Sequence, residues 1–392
     1  MFLKDVKVLD LSRVLAGPFA TMYLAEFGAK VIKVEPPEGD ETRQYAPFKD
    51  GVSTYFYSIN RGKYSISLNL KTDKGREILD RLIRKVDVLI HNYRSVTAKK
   101  LGVDFERVSK INRNIIYVSI RGYDEDSSLR DYPAYDIIIQ GLSGLMMATG
   151  KYGDDEPIRV GFALTDIFAG LYAASSIILA LNPRVEKPIK IDVNLFDSLI
   201  YSMSYLIYSY ILAGIEPERF GSGHPSIVPY QAFKCRDGKY IIVAAANNRQ
   251  FRSLCKALKL EHLLMDSRYI TNRDRVVNRD SLIKELSKRF SELDSDIWID
   301  ILRRFNVPVA IVNKISDMVE SGYLADSGQL GYIEDPRLGK IRIVKPPVKI
   351  NGSRPYSGKY SPALSEDSIS ILNWIGYSED EIREFRRMGI VK

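Results

Sequence analysis

Strand-like and helix-like segments alternate along the first half of the chain, and this alternation constrains the fold more than any other feature. Short runs rich in Val, Ile and Leu predict strands at 6–11, 31–35, 86–90, 115–120 and 189–194. Segments with helical spacing of apolar residues separate the first strands, at 17–27 and 72–85. Repeated βαβ units predict an α/β fold, with a mostly parallel sheet and helices on both faces.

The rest of the chain has a different pattern. A long helical region is predicted at about 136–182, and an apolar helix at 196–213. A turn-rich passage at 219–230 leads into a predicted hairpin with Asp237 and Gly238 at its turn. With 392 residues, the chain is long enough for two domains.

Composition excludes several classes of protein. The net charge is +8, but Lys and Arg alternate with Asp and Glu, which is typical of solvated helix faces and compatible with a small anionic ligand. We therefore expect no binding to nucleic acid. The 196–213 segment contains Asp197 and many polar side chains, so no membrane span is expected. The N-terminus does not resemble a secretory signal.

Cysteine and histidine are scarce. The two cysteines predict no disulfide framework and favour a reducing, cytoplasmic compartment, and the histidines are too far apart for a metal site. These residues are Cys235, Cys255, His91, His224 and His262.

One carboxylate has a setting suited to chemistry. Asp166 follows RVGFALT and precedes the apolar IFAGLYAASS, which places it at a predicted helix N-terminus. The helix dipole and free N–H groups there are expected to keep the carboxylate ionised. Such a group can be a nucleophile toward an activated acyl group or an ordinary helix cap, and the local residues leave both roles open.

A series of ordered blocks resembles the class III CoA-transferases, a group that includes formyl-CoA transferase, carnitine CoA-transferase and α-methylacyl-CoA racemase. The blocks include VLDLSRVLAGPFATMYLAEFGAKVIKVEPPEGDETR (8–43), NRGKYSISLNLKTDKGREIL (60–79), PAYDIIIQGLSGLM (133–146) and RVGFALTDIFAGLYAA (159–174). The resemblance extends over nearly the whole chain. It implies that Asp166 is catalytic and forms an acyl anhydride and then a CoA thioester. The CoA thioester would be a substrate, with no metal and no permanently bound cofactor.

The resemblance also implies binding residues. Positions near the CoA nucleotide are Lys71, Asn92, Tyr93 and Lys100, with Arg43 as a further anion contact. The turn beside the thioester matches Val14, Leu15 and Ala16, with Leu15 where formyl-CoA transferase has glutamine. A glycine-containing loop that could close over the site matches Gly221, Gly223 and His224.

The racemase branch of the group carries a histidine where this chain has Tyr135, directly before Asp136. A tyrosine is a poor base at neutral pH, which favours CoA transfer over α-proton exchange. Both residues are expected at the substrate pocket, with a helix cap as the alternative for Asp136. A racemase and a catalytically silent CoA-binding protein remain the other candidate functions.

The architecture implied by the resemblance is a Rossmann-like large domain built from residues 1–205 and 330–392, with a smaller α+β domain at 222–325. Two chains are expected to interlock as a homodimer. The expected partners are an acyl-CoA donor and a carboxylic-acid acceptor, with succinyl-CoA as the first donor to test. The abundance of Lys, Arg, Glu, Ile and Tyr indicates a thermophilic source.

Overall fold

A computed structural model describes the whole chain, from Met1 to Lys392. The strands are β1 (Lys7–Asp10), β2 (Lys30–Glu35), β3 (Phe48–Lys49), β4 (Val52–Ser53), β5 (Lys63–Ser67), β6 (Val88–His91), β7 (Ile116–Arg121), β8 (Ile189–Asn194), β9 (Tyr230–Lys234), β10 (Tyr240–Ala244), β11 (Val309–Ile311), β12 (Leu330–Asp335) and β13 (Gly339–Val344). The α-helices are α1 (Ala16–Glu26), α2 (Thr54–Asn60), α3 (Asp73–Ile83), α4 (Ser95–Leu101), α5 (Phe105–Ile111), α6 (Asp136–Leu142), α7 (Leu145–Ala148), α8 (Leu164–Ala180), α9 (Leu195–Ser202), α10 (Ser204–Ala213), α11 (Asn248–Leu258), α12 (Asn272–Val277), α13 (Arg279–Phe290), α14 (Ser295–Arg304), α15 (Ile315–Glu320), α16 (Gly322–Asp326), α17 (Ser368–Trp374) and α18 (Glu379–Arg387).

Six parallel strands form the main sheet, in the order β5-β2-β1-β6-β7-β8. From β1 the chain first builds outward to β2 and β5, and then returns to β6 and builds outward on the other side. The order therefore reverses between β1 and β6, as in doubly wound nucleotide-binding folds. In such sheets, ligands bind outside the carboxyl ends of the strands at this reversal. The predicted α/β fold with a large parallel sheet is confirmed.

Residue contacts divide the chain into two compact units. The first combines Met1–Ser143, Val160–Tyr208 and Leu324–Lys392, and it contains the six-stranded sheet. Both chain ends share its core, since Ile371 and Phe385 of the C-terminal helices belong to the same buried cluster as Leu9 of β1.

The second unit combines Gly144–Arg159 with Ser209–Tyr323. Its antiparallel sheet has the order β11-β10-β9 and packs around a buried cluster that includes Phe233, Phe290 and Trp298. The hairpin predicted around Asp237 and Gly238 is confirmed by the pairing of β9 with β10. The domain boundaries expected above stay predictions.

Two predicted helical regions are interrupted. The 136–182 region forms α6, α7 and α8, with a non-helical stretch between α7 and α8 in which Gly150 and Gly153 have positive φ. The apolar 196–213 segment forms α9 and α10, which are separated at Met203. Neither of them, nor any other helix, is both long and apolar enough to cross a membrane.

Candidate active site

The loops that follow β1 and β6 meet at the reversal of strand order. The N–H of Arg13 donates to Oδ1 of Asn92 at 2.9 Å, and Nδ2 of Asn92 donates to the carbonyl oxygen of Arg13 at 2.7 Å. This reciprocal pair fixes the two loops to each other. Asn92, predicted as a CoA contact, therefore also holds the β1–α1 turn.

Buried lysines hold the β1–α1 turn from below. Nζ of Lys33 donates to the carbonyl oxygen of Ser12 at 3.0 Å, and Nζ of Lys63 donates to the carbonyl oxygen of Pro18 at 2.9 Å. Lys63 also pairs with Asp10 at 3.0 Å. Burial lowers the pKa of Lys63 to about 8. Burial by itself would raise the pKa of Asp10, but the positive charges of Lys63 and Lys33 outweigh it and lower that pKa to about 2. The turn is thus clamped at both ends.

The turn itself carries strain and a directed N–H group. Val14 has φ of 65°, a conformation that is costly for a β-branched residue and that occurs mainly where surrounding structure enforces it. Leu15 is buried and precedes the first residue of α1. The backbone N–H of Ala16 faces the Asp166 carboxylate and acts to lower its pKa. Val14 and Ala16 line the same cavity as Asp166, whereas Leu15 does not.

Asp166 lies in the first turn of α8, the helix that crosses from β7 to β8. Burial, and then the negative charge of Asp136, raise the pKa of Asp166 to about 7. Burial and the like charge of Asp136 therefore act against the expected effect of the helix N-terminus, which is to keep this carboxylate ionised. Near neutral pH, protonated and ionised forms coexist. The ionised form is poorly solvated, which suits a nucleophile.

Asp136, the first residue of α6, is buried and holds the start of α8. One carboxylate oxygen accepts from the N–H and from the hydroxyl of Thr165, both at 3.0 Å. The other accepts from Nε2 of Gln140 at 2.8 Å. Asp136 thus caps α8 from another helix and fixes the residue that precedes Asp166. It does not line the cavity.

The cavity at Asp166 has a volume of about 330 Å³. Tyr135, predicted at the pocket, lies in its wall and is 64% exposed. Tyr55 of α2 is near enough for the Asp166 charge, after burial, to help raise the pKa of its phenol to about 12. Tyr55 was not predicted at the site, since nothing in the sequence around it distinguishes it from the other aromatic residues of the chain.

A second cavity, of about 300 Å³, lies at the same edge of the sheet. Lys71 and Tyr93, both predicted near the nucleotide, line it, and Arg13 lines both cavities. Apolar side chains form much of the wall: Val34, Pro36, Pro37, Leu68, Leu70 and Leu101. Glu35 and Glu38 line this cavity as well, so its wall is apolar with charges of both signs, whereas four arginines line the Asp166 cavity.

His91 positions Tyr93. Its Nδ1 accepts the N–H of Tyr93 at 3.0 Å, and its Nε2 lies 2.6 Å from the hydroxyl of Tyr117, which donates to the carbonyl oxygen of Val103. This chain of bonds is satisfied when the proton is on Nε2. Burial, and then nearby Arg121, lower the pKa of His91 to about 3, so the ring is neutral.

Two predicted anion contacts have other surroundings. Arg43 makes a two-bonded ion pair with Glu35, at 2.8 and 2.7 Å, and its guanidinium lies over the ring of Phe56. It lines neither cavity. Lys100 is exposed on α4, next to Leu101 of the second cavity. Arg43 therefore supports the fold at this edge, and Lys100 is free to approach a ligand from the rim.

The predicted lid residues lie in the second unit. Gly221 has φ of 59°, and the N–H of Gly223 donates to the carbonyl oxygen of Phe220 at 2.8 Å. The carbonyl oxygen of His224 accepts from Nη2 of Arg279 at 2.8 Å. The loop is thus a hydrogen-bonded turn, and its closure over the active site stays a prediction.

Further polar residues line the Asp166 cavity without having been predicted. They are Arg13, Glu41, Arg94, Arg121 and Arg130. They come from five separate segments of the chain, so only the fold brings them together. Four of the five are arginines, so positive charge predominates among them.

The chain matches the model of "CoA-transferase family III" over residues 3–368. The chain belongs to this family. Among curated relatives, it is 39% identical to the human succinyl-CoA:glutarate CoA-transferase, over 99% of this chain and 90% of that protein. It is 36% identical to the acetyl-CoA:oxalate CoA-transferase of Acetobacter aceti, over 93% of each chain.

A solved structure is similar as well. The crystal structure of a CAIB/BAIF family protein from Brucella suis superimposes with a TM-score of 0.82 at 33% identity, covering 94% of this chain and 98% of that one. This family III protein is therefore an enzyme that acts as a CoA-transferase, and acyl-CoA donors and carboxylate acceptors fit it. The resemblance found in the sequence is confirmed.

Proposed function

We propose that this family III enzyme transfers CoA from an acyl-CoA to a dicarboxylic acid, with Asp166 as the nucleophile. The observation that supports this proposal most directly is the position of Asp166. It is a poorly solvated carboxylate with a pKa raised to about 7, in a cavity at the carboxyl edge of the sheet, where the strand order reverses. A carboxylate in such a place can attack a thioester that reaches it along the cavity.

In the proposed reaction, an oxygen of Asp166 attacks the thioester carbonyl and expels CoA thiolate, which leaves a mixed anhydride. The thiolate then attacks the aspartyl carbonyl, releases the donor acid and leaves an aspartyl-CoA thioester. The acceptor carboxylate attacks this thioester and again expels CoA thiolate. The thiolate finally attacks the acceptor's carbonyl in the new anhydride, which yields the new acyl-CoA and free Asp166.

CoA would lie across both cavities. We assign its adenine nucleotide to the cavity with Tyr93 and Lys71, where apolar walls suit a base and a cation suits a phosphate. Lys100 is a second phosphate contact from the rim, and Asn92 lines the path to Asp166. The tight Val14–Ala16 turn would then lie beside the thioester, where backbone N–H groups can stabilise an oxyanion.

The choice of acids rests on the relatives and on charge. One curated relative is named for succinyl-CoA and glutarate and the other for acetyl-CoA and oxalate, so both named acceptors are dicarboxylic acids. Four arginines line the Asp166 cavity, which favours a substrate with more than one negative charge. Succinyl-CoA is therefore the proposed donor, and glutarate, oxalate, mesaconate, malate and citramalate are the acceptors to compare.

Transfer is preferred to racemisation because of Tyr135. This residue lines the cavity, and a racemase would need a base that can remove an α-proton there. A catalytically silent CoA-binding protein would have no use for a poorly solvated carboxylate beside the cavity.

We further propose an interlocked homodimer with the domains expected from the sequence. Both cysteines are free and buried, which supports a reducing cytoplasm.

The test is covalent capture. The enzyme is mixed with succinyl-CoA, quenched with borohydride or hydroxylamine, digested and analysed by mass spectrometry, beside the Asp166→Ala variant. We expect modification confined to Asp166 and absent from the variant. If no thioester in a panel modifies Asp166 although CoA binds, the transfer mechanism is wrong.

A further inference from the structure

Four arginines line the cavity that holds Asp166, and their surroundings differ. The Arg121 side chain is 10% exposed and donates hydrogen bonds to Ser95, Glu125 and Asp192. These partners hold it as part of a fixed network. Arg121 therefore contributes positive potential to the cavity from a position that these partners set.

Arg13 lies between the two cavities, near Tyr93. It lines both cavities, its guanidinium lies 6.0 Å from the centre of the Tyr93 ring, and its closest acidic group is Glu41 at 3.9 Å. This position lies between the proposed nucleotide end and Asp166. Its charge is thus best placed along the body of CoA.

Arg94 and Arg130 form a separate pair around one residue. Nη1 of Arg94 donates to the carbonyl oxygen of Asp131 at 3.3 Å, and Nε of Arg130 lies 3.5 Å from the Asp131 carboxylate. Both arginines are exposed and both line the Asp166 cavity. The long Arg130–Asp131 contact between exposed groups is weak, so it leaves the Arg130 guanidinium available.

The loop that carries Arg130 is held in place by backbone packing. A methyl group placed on Gly122 would lie 2.1 Å from the Cβ of Ala134, so the two ends of this loop approach as closely as glycine allows. Pro133, Ala134 and Tyr135 of the same loop line the cavity. Arg130 is therefore presented to the cavity from a loop whose base is fixed.

We propose that Arg94 and Arg130 form a subsite for the second carboxylate of a dicarboxylic acyl group, whose other end reacts at Asp166. Guanidinium groups offer paired donors that match a carboxylate, and two of them can neutralise a charge that would otherwise be desolvated on closing the site. The subsite rests on the proposed transfer at Asp166. It would select diacids over monoacids of equal length.

The matched probes are succinyl-CoA and butyryl-CoA, which differ by a terminal carboxylate in place of a methyl group. The variants are Arg94→Gln, Arg130→Gln, the double variant, and Arg130→Lys, which keeps the charge. Arg113→Gln is the control, since Arg113 is exposed between α5 and β7, away from both cavities. For each protein, kcat/KM is measured with both thioesters, and the affinity for CoA alone is measured by calorimetry.

The unaltered enzyme should prefer succinyl-CoA. Each Gln variant should reduce that preference about tenfold, and the double variant about a hundredfold, by lowering kcat/KM for succinyl-CoA alone. Arg130→Lys should retain part of the preference, and Arg113→Gln all of it. Binding of CoA itself should be unchanged in every variant.

Three results would overturn the subsite. One is equal use of the two thioesters by the unaltered enzyme. Another is an equal loss with both thioesters in the Gln variants. The third is weaker binding of CoA alone, which would make the pair a phosphate contact. Each of these can occur while Asp166 is still captured covalently, whereas failure of capture by every thioester would contradict the transfer reaction itself.

Discussion

At the scale of single residues, ionisation of the buried Asp166 carboxyl lowers the free energy of unfolding. Its native pKa is raised from 3.8 to about 7 by burial and by Asp136. Between these two values the folded chain binds more protons than the unfolded chain, so the free energy of unfolding falls as pH rises through this window. The cost is fully present above the native pKa and absent below the unfolded one.

Replacing Asp166 with asparagine should therefore stabilise the protein only at higher pH. We expect Asp166→Asn to raise the free energy of unfolding by on the order of 2 kcal/mol at pH 8, and to change it little at pH 4.5. Chemical denaturation at both pH values measures this, with the exposed Asp126→Asn as control. An equal gain at the two pH values would contradict the shifted pKa.

Asp166 also shows what local sequence can predict. Its place at a helix N-terminus followed from the residues on either side. Its raised pKa did not, because the charge that acts on it belongs to Asp136, thirty positions earlier, and its burial depends on the folded chain around it. Arg94 and Arg130 are similar cases, since each is an ordinary surface arginine until the fold places it at the Asp166 cavity.

At the scale of elements, α1 and α8 must pack closely for Ala16 to reach Asp166. Gly170 of α8 makes this possible, since a methyl group placed there would lie 2.7 Å from the carbonyl oxygen of Ala16. We expect Gly170→Ala to push the helices apart, to destabilise the protein by about 1–3 kcal/mol and to lower kcat more than it raises KM.

The same variant has a control on the same helix. Ser175 is on the exposed face of α8, so Ser175→Ala changes helix propensity without changing the contact with α1. Denaturation and steady-state kinetics of both variants show whether the close packing of α1 on α8 affects catalysis as well as stability. Unchanged kcat in a destabilised Gly170→Ala protein would show that the close packing serves stability alone.

Most strands of the main sheet were predictable because they are buried apolar runs, but β5 was not. Its inward positions are Lys63, Ser65 and Ser67, and all three side chains are fully buried. Distant groups satisfy them: Asp10 pairs with Lys63, and Glu35 accepts from the Ser65 hydroxyl. A pattern of polar residues pointing inward looks like a surface strand or a loop until those partners are known.

At the scale of the whole molecule, the two chain ends share one unit. The N–H of Asn69 donates to the carbonyl oxygen of Ile390 at 2.9 Å, and the N–H of Ser65 donates to the Asp367 carboxylate at 2.9 Å. Hydrophobic periodicity cannot predict such pairing across some 300 residues. Only the family resemblance led to the expectation that both ends build the large domain.

The helix α10 has an exposed surface that suits a second chain. Its exposed side chains include Tyr208, Tyr210, Ile211 and Leu212, the last of which is 78% exposed. Contiguous apolar surface of this kind is typical of a protein interface. We expect light scattering after gel filtration to give twice the mass of one chain.

If the two chains interlock, they cannot separate without unfolding, because each would have to open to release the other. Tagged and untagged dimers mixed at room temperature should therefore form no mixed dimers over days, while joint unfolding and refolding should produce them. Co-expression of the two forms provides the reference for a mixed dimer. Native mass spectrometry distinguishes the three species. Mixed dimers that appear within hours in native buffer would show separable subunits, and a mass of one chain would show that the apolar face of α10 has another role.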